Sequence, residues 1–191
     1  MDGSGSDIHA AALARLLSRD GYRVVLRHEP TNSMIGGLIR ARLAGEWEIA
    51  PETLQLLFTA DRAEHLRSMI LPGLEAGKIV ICDRYVLSAL AYNVVLVNDR
   101  EWLRALNKRF LKPDVTFLIQ VDPKICARRL KEMHLELELH REESKLKHVW
   151  REYQALAAEF DGVHVIDGER DDVAIIDEIA ERAKEALNER A

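Results

Sequence analysis

Short, nearly continuous apolar runs alternate along this chain with longer stretches in which apolar residues recur at helical spacing. That alternation is the pattern of α/β units built on a parallel sheet. The runs predict strands over Tyr22–Arg27, Lys78–Cys82, Asp114–Val121 and Val163–Ile166, each apolar on both sides, as a strand covered by helices on both faces must be. Helices are predicted over Ile8–Arg19 with Asp7 as N-cap, Ser33–Ala44, Pro51–Glu75 with a proline in its first turn, a pair within Ser88–Leu111, Pro123–Met133, Leu139–Phe160 and Asp172–Glu189. Gly21, Gly45, Gly77 and Gly162 fall where helices should stop. No repeat, low-complexity tract or Pro/Gly/Ser-rich linker interrupts the pattern, so one domain over residues 1–191 is expected.

Composition narrows the function classes. With 191 residues, 48% of them hydrophobic and 31% charged, the chain can bury one sizeable core. A formal net charge of −5 argues against a surface that tracks nucleic acid, which would carry a basic excess. It leaves room for a small anionic ligand held by a few convergent arginines. Apolar stretches such as Ile79–Cys82 and Val115–Ile119 are too short to span a bilayer and no basic-then-apolar leader precedes them, so no membrane partner and a cytoplasmic location are expected. Cys82 and Cys126 have no metal-ligand spacing and suit a reducing compartment as small core residues.

In parallel α/β folds ligands bind beyond the carboxyl ends of the strands. Here those ends run into His28-Glu29-Pro30-Thr31, Asp83-Arg84-Tyr85, Asp122-Pro123 and Asp167-Gly168. Arg84 offers bidentate binding to phosphate, and Asp83 can hold Mg²⁺ or orient Arg84; a structural ion pair at a helix start uses the same residues. Glu29 or His28 can serve as general acid or base, or form a polar turn. Phe58 and Arg62 lie four apart on one helix face, where a ring can stack on a base and a guanidinium bond its edge; a core Phe beside a solvated Arg fits that spacing equally. Arg128, Arg129 and Lys131, continuing to Arg141, Lys145 and Lys147, make a basic helical stretch suited to a phosphate-closing lid or to a solvated surface. At the start of the chain, Asp2-Gly3-Ser4-Gly5 has the glycines of a phosphate-binding loop, but Ser6 and Asp7 stand where such a loop carries Lys and Ser or Thr.

In this order and spacing the pieces resemble the thymidylate kinase family of P-loop nucleoside monophosphate kinases. The likeness covers nearly the whole chain and is carried by Asp2–Gly5, Glu29-Pro30, the Phe58–His65 block, Asp83-Arg84-Tyr85 with Ser88 and Ala91-Tyr92, Pro113-Asp114, Val121-Asp122-Pro123 and the lid-like stretch ending at Tyr153. It implies ATP-dependent phosphorylation of dTMP with Mg²⁺, a five-stranded parallel sheet flanked by helices, a helical lid near residues 128–147, and a homodimer. It further implies that Phe58 stacks on thymine, that Arg62 bonds an exocyclic oxygen, and that Asn93, where the family usually has Gln, approaches the pyrimidine edge. Ser88 and Tyr92 would line the acceptor pocket, with Tyr92 against the deoxyribose. Arg84 would hold the acceptor phosphate, with Glu29 close by. Gly3, Ser4, Gly5, Ser6 and Asp7 would form the donor loop, Asp83 and Asp7 would lie at the metal, and Arg128 or Arg129 would bind ATP phosphates or stack on adenine. Three departures bear on catalysis: Ser6 for the loop Lys, Asp7 for the Mg²⁺-binding hydroxyl residue, and His28 for the Arg before Glu-Pro. Removing even one preorganised donor costs about 10²–10³ in rate. A relative that binds dTMP-like nucleotides with impaired catalysis, or a kinase for another deoxynucleotide, are therefore the alternatives. The family's first central strand has no residues ahead of the loop, so the sheet is expected without it.

Overall fold

The computed structural model describes residues 1–133 and 143–189. Helix α1 (Ser6–Arg19) leads through a turn to strand β1 (Val24–His28), then α2 (Met34–Leu43) and α3 (Pro51–His65). A π turn (Leu66–Ile70) joins α3 to the short α4 (Leu71–Glu75). The predicted single helix Pro51–Glu75 is thus one continuous rod with a change of winding. The π turn sits just before Pro72, which has no N–H to offer the Ser68 carbonyl and whose ring crowds it. Strand β2 (Ile79–Asp83), α5 (Val86–Val97), α6 (Arg100–Asn107), β3 (Thr116–Gln120), α7 (Pro123–Glu132), α8 (Glu143–Glu159), β4 (Val163–Asp167) and α9 (Asp172–Asn188) complete the order.

Local chemistry sets the helix starts. Asp122 accepts from Lys124 N at 2.7 Å before Pro123 opens α7, and Ser33 accepts from Gly36 N at 3.1 Å at the head of α2. The expected Asp7 cap is corrected: α1 begins at Ser6 behind Gly5, whose φ of 81° turns the chain straight into the helix. Asp7 lies inside the first turn, exposed, where its charge still complements the helix dipole.

The four strands form two parallel pairs, β1 with β2 (Val24 opposite Ile79) and β3 with β4 (Thr116 opposite Val163). The single five-stranded sheet implied by the family resemblance is replaced, among the described residues, by these two pairs. Their tips are linked by the first residues of the chain. Asp2 reaches Arg84 just after β2, while Gly3 lies against Cys126 in the first turn after β3. The strands are less covered than their sequences predict. β2 is half-buried throughout, and Leu26 and Val165 are 39% and 46% exposed, because sheets two strands wide leave part of each face open.

One apolar core runs through both halves. It joins Leu13 and Leu17 of α1, Leu90 and Val94 of α5, Leu118 and Ile119 of β3, Leu146 and Val149 of α8, and Ile175 and Ile179 of α9. Each fully buried Leu or Ile contributes about 1.5–3 kcal/mol relative to exposure, so this cluster holds the two sheets in place around the shared tips.

Candidate active site

The loop before α1 is built for close approach. Gly3 and Gly5 take φ of 75° and 81°, and a Cβ on Gly3 would meet the Cys126 carbonyl oxygen at 2.7 Å. Left-handed φ is open to glycine without steric cost, so both positions demand it. Ser4 is buried and its N–H closes a turn on the Met1 carbonyl at 3.1 Å. Among the described residues no side chain caps α1, so its first N–H groups point out of the helix beside this loop, an arrangement suited to an anion. The hydroxyl that the sequence places out of position proves to be in use: Ser6 Oγ donates to Asp83 Oδ1 at 2.9 Å.

Asp83 ends β2, and the next residue, Arg84, stands at φ 66°. A non-glycine residue in that region carries about 1–2 kcal/mol of strain. Arg84 Nη2 donates to Asp2 Oδ1 at 2.5 Å and its guanidinium lies 5.6 Å from the Tyr92 ring centre. Tyr92 OH donates to Asp2 Oδ2 at 2.6 Å and accepts from Asp2 N at 2.8 Å. Tyr153, on α8, packs edge-on against Tyr92 and donates to Ser88 Oγ at 2.9 Å. Burial pushes the Tyr153 hydroxyl up to about 12, so it keeps its proton near neutrality. The structure therefore gathers Asp2, Arg84, Ser88, Tyr92 and Tyr153 into one wall.

A second, fully buried cluster lies beneath β1. Glu29 places Oε2 2.8 Å from Arg62 Nη2 and Oε1 3.1 Å from His65 Nδ1. Both Glu29 oxygens thus tie the end of β1 to α3. Asp61, buried next to Arg62, accepts from Thr31 N, Thr31 Oγ1 and Ser33 Oγ at 2.7, 2.6 and 2.9 Å, tying the Glu29–Thr31 turn to α3. Phe58 is half-buried one helical turn before Arg62. Asn93 is buried and donates back to the Ala89 carbonyl at 2.8 Å within α5. His28 is exposed at the end of β1. Donor atoms of Glu29, His65 and Cys82 approach within 4.8 Å of one another. However, Arg62 stands against Glu29, and the Cys82 thiol, pushed far up by burial and then by Glu29, donates to the Arg84 carbonyl at 3.1 Å. That is a hydrogen-bonded polar network with a cation already seated in it.

On the other side of the loop, Arg129 Nη1 donates to the Gly3 carbonyl at 3.1 Å, whereas Arg128 is exposed and 3.8 Å from Glu132. Of the two candidates, Arg129 is the one at the loop. His9 is buried under the loop; burial pulls its imidazole below the usual range, against Asp172 and Asp7, with Arg129 adding to the downward shift. Residues 134–142 of the expected lid, Arg141 among them, lie outside the described residues. Between the tips of β1 and β2 opens a cavity of about 310 Å³ lined by Asp7, Ala10, Leu26, Arg27, His28, Glu29, Asp83 and Arg84. Asp83 and Asp7 bring hard carboxylate oxygens to it and Ser6 adds a hydroxyl at Asp83, a donor set that fits Mg²⁺.

Sequence reasoning named most of this wall and missed the groups that fix it. Asp2 was read as part of a glycine loop rather than as the partner of Arg84, and Asn107, which bonds Arg62, carries no local motif.

Over residues 1–179 the chain matches the family model described as thymidylate kinase. It is 38% identical over 179 residues to a probable thymidylate kinase of Thermococcus kodakarensis, covering 90% of this chain and 87% of that one. A probable thymidylate kinase of Methanocaldococcus jannaschii is 36% identical over 167 residues, covering 87% and 82%. A thymidylate kinase of Brachyspira hyodysenteriae is 29% identical over 187 residues, covering 97% and 91%.

Proposed function

The chain belongs to the thymidylate kinase family, and from that membership we propose that it transfers the terminal phosphoryl group of ATP to dTMP, giving dTDP. The observation that carries the reading is Arg84: a guanidinium carried on a strained backbone at the tip of β2, beside the start of α1 and the loop glycines. A fixed cation next to unpaired helix N–H groups is what two adjoining phosphates require.

The acceptor half is then Phe58 and Arg62 toward the base, Tyr92 and Ser88 toward the sugar, and Arg84 toward the phosphate. Asp2 holds Arg84 in the free protein, and the acceptor phosphate takes over that contact. The donor half is the Gly3–Asp7 loop with Arg129 above it. Arg129 and Arg84, on either side of the loop, supply positive charge where Ser6 leaves the loop without a Lys. Asp83, Asp7 and the Ser6 hydroxyl would hold Mg²⁺, which when bound neutralises charge on the phosphates. Asp61 orients the turn and α3, and Glu29 does so while bordering the cavity beside Asp83 and Arg84.

Calorimetry on the full chain tests the acceptor half: dTMP binds, and Arg84→Ala weakens it by about 100-fold, since a lost charge-assisted bidentate contact costs about 2–3 kcal/mol. Equal affinity for dTMP in wild type and Arg84→Ala would remove the reading.

A homodimer through α2 and α3 is part of the proposal. It is supported by Met34, Leu38 and Leu56, which are 88%, 45% and 49% exposed on these two packed helices. A cytoplasmic location is likewise proposed; among the described residues no helix is long and apolar enough to cross a membrane.

A further inference from the structure

Arg62 is the largest fully buried side chain among the described residues, and its donors can be counted. A guanidinium has five N–H groups and no acceptor. Nε donates to Glu29 Oε2 at 2.9 Å, and Nη2 stands 2.8 Å from the same oxygen as an ion pair. Nη2 also reaches the Tyr85 carbonyl at 3.4 Å, and Nη1 donates to Asn107 Oδ1 at 2.6 Å. Among the described residues one Nη1 proton is left without an acceptor. Both Glu29 contacts fall on a single oxygen, so by themselves they leave the tilt of the guanidinium plane about Oε2 unset. Asn107 is the second point that fixes its plane.

Asn107 is itself fixed. Its Nδ2 donates to the Leu103 carbonyl at 2.8 Å, which leaves Oδ1 as the atom turned to Arg62. It ends α6, and α6 is pinned to α8 by the Arg100–Glu152 and Arg104–Glu159 ion pairs. The Tyr85 and Phe110 rings lie 5.3 and 5.6 Å from the guanidinium carbon and limit its movement further.

We infer that Asn107 is a positioning residue for base selection: by holding Arg62, it aims the remaining Nη1 proton so that only a pyrimidine carrying an acceptor at that edge is matched. A 4-oxo base such as that of dTMP presents a carbonyl oxygen there, and a 4-amino base such as that of dCMP presents N–H groups that cannot pair with it. The inference rests on the proposed contact of Arg62 with the base. Sites built to pair a polar group discriminate far better than sites that merely enclose it.

The test is calorimetric titration of the full chain with dTMP and with dCMP, which needs no turnover. Asn107→Leu keeps the branched shape and removes the acceptor; the dTMP-to-dCMP affinity ratio falls about tenfold. Asn107→Asp loses the bond to Leu103 but keeps an acceptor oxygen for Arg62 Nη1, and retains more of the wild-type ratio than Asn107→Leu. A folded Asn107→Leu protein with the wild-type ratio, or an Asn107→Asp protein that loses as much as Asn107→Leu, overturns the inference while leaving the proposed function intact. Arg62→Ala with unchanged dTMP affinity overturns the contact with the base and the inference with it. Side-chain NMR of arginine in the wild-type protein gives a reading independent of any variant's stability: restricted rotation about the Arg62 Cζ–Nη1 bond supports the inference, and free averaging there contradicts it.

Discussion

Two neighbouring residues concentrate the question of phosphoryl transfer. Ser6 takes the position of a loop lysine, yet its hydroxyl sits on Asp83, and Asp7 projects a carboxylate into the cavity that would receive phosphate. Where no Mg²⁺ covers it, a like charge in that place opposes ATP, and the missing ammonium removes a donor that transition-state charge would use. The double change Ser6→Lys with Asp7→Thr is expected to raise ATP affinity by about tenfold or more, corresponding to about 1.4 kcal/mol or more, with dTMP affinity unchanged; calorimetry with each nucleotide separates the two. If ATP binds no better, the loop is not the donor site. The residue scale is also where sequence reading reached its limit. The loop glycines, Arg84, Tyr92 and Phe58 are recognisable from spacing, but a partner 82 positions away, such as Asp2 for Arg84, is fixed only by the fold.

At the scale of elements, the turn after β1 positions the acceptor wall, and its tightest point is Gly36 in α2. A Cβ there would lie 1.9 Å from the Thr31 carbonyl oxygen and 2.7 Å from its carbon. Gly36→Ala must push α2 off the Glu29–Thr31 turn that Asp61 holds. A drop in melting temperature of about 5–10 °C is expected, in line with overpacking costs of 1–3 kcal/mol, together with weaker dTMP binding. Gly37 supplies the control: the nearest atom to a Cβ there is the Arg40 Nη2 at 4.0 Å, so Gly37→Ala is neutral or stabilising. Equal behaviour of the two variants would mean that the turn is not clamped. Element types and order were legible because apolar periodicity reports them directly, and the glycines expected at helix ends, Gly21, Gly45, Gly77 and Gly162, all have positive φ. The winding change before Pro72 and the start of α1 at Ser6 were not, because both depend on where individual backbone N–H groups find partners.

For the whole molecule, the defining feature is a sheet in two halves joined by a core and by the loop across their tips. Ile79 N donates to Arg23 O and Thr116 N to Gly162 O, each at 2.8 Å. Because successive residues of a strand point their N–H groups to opposite edges, those of Val80 and Cys82 in β2, and of Phe117 and Ile119 in β3, face away from the partner strands. Amide hydrogen exchange is expected to be about 10–100-fold faster at these four than at Ile81 and Leu118, since only the latter are in a ladder. Equal protection would show that the free edges are paired and the sheet continuous. How exposed the strands would be was not legible in the sequence, because their apolar runs read like those of a strand covered on both faces.

The central claim is that these two halves and their loop form a working acceptor and donor site. The most direct test is to incubate purified protein with ATP, Mg²⁺ and dTMP and separate the products by chromatography. dTDP and ADP are expected in equal amounts, formed only when dTMP is present and reduced by about 100-fold or more in Arg84→Ala, the scale of losing one preorganised charge contact. Folded protein that forms no dTDP above a protein-free blank would contradict the central claim.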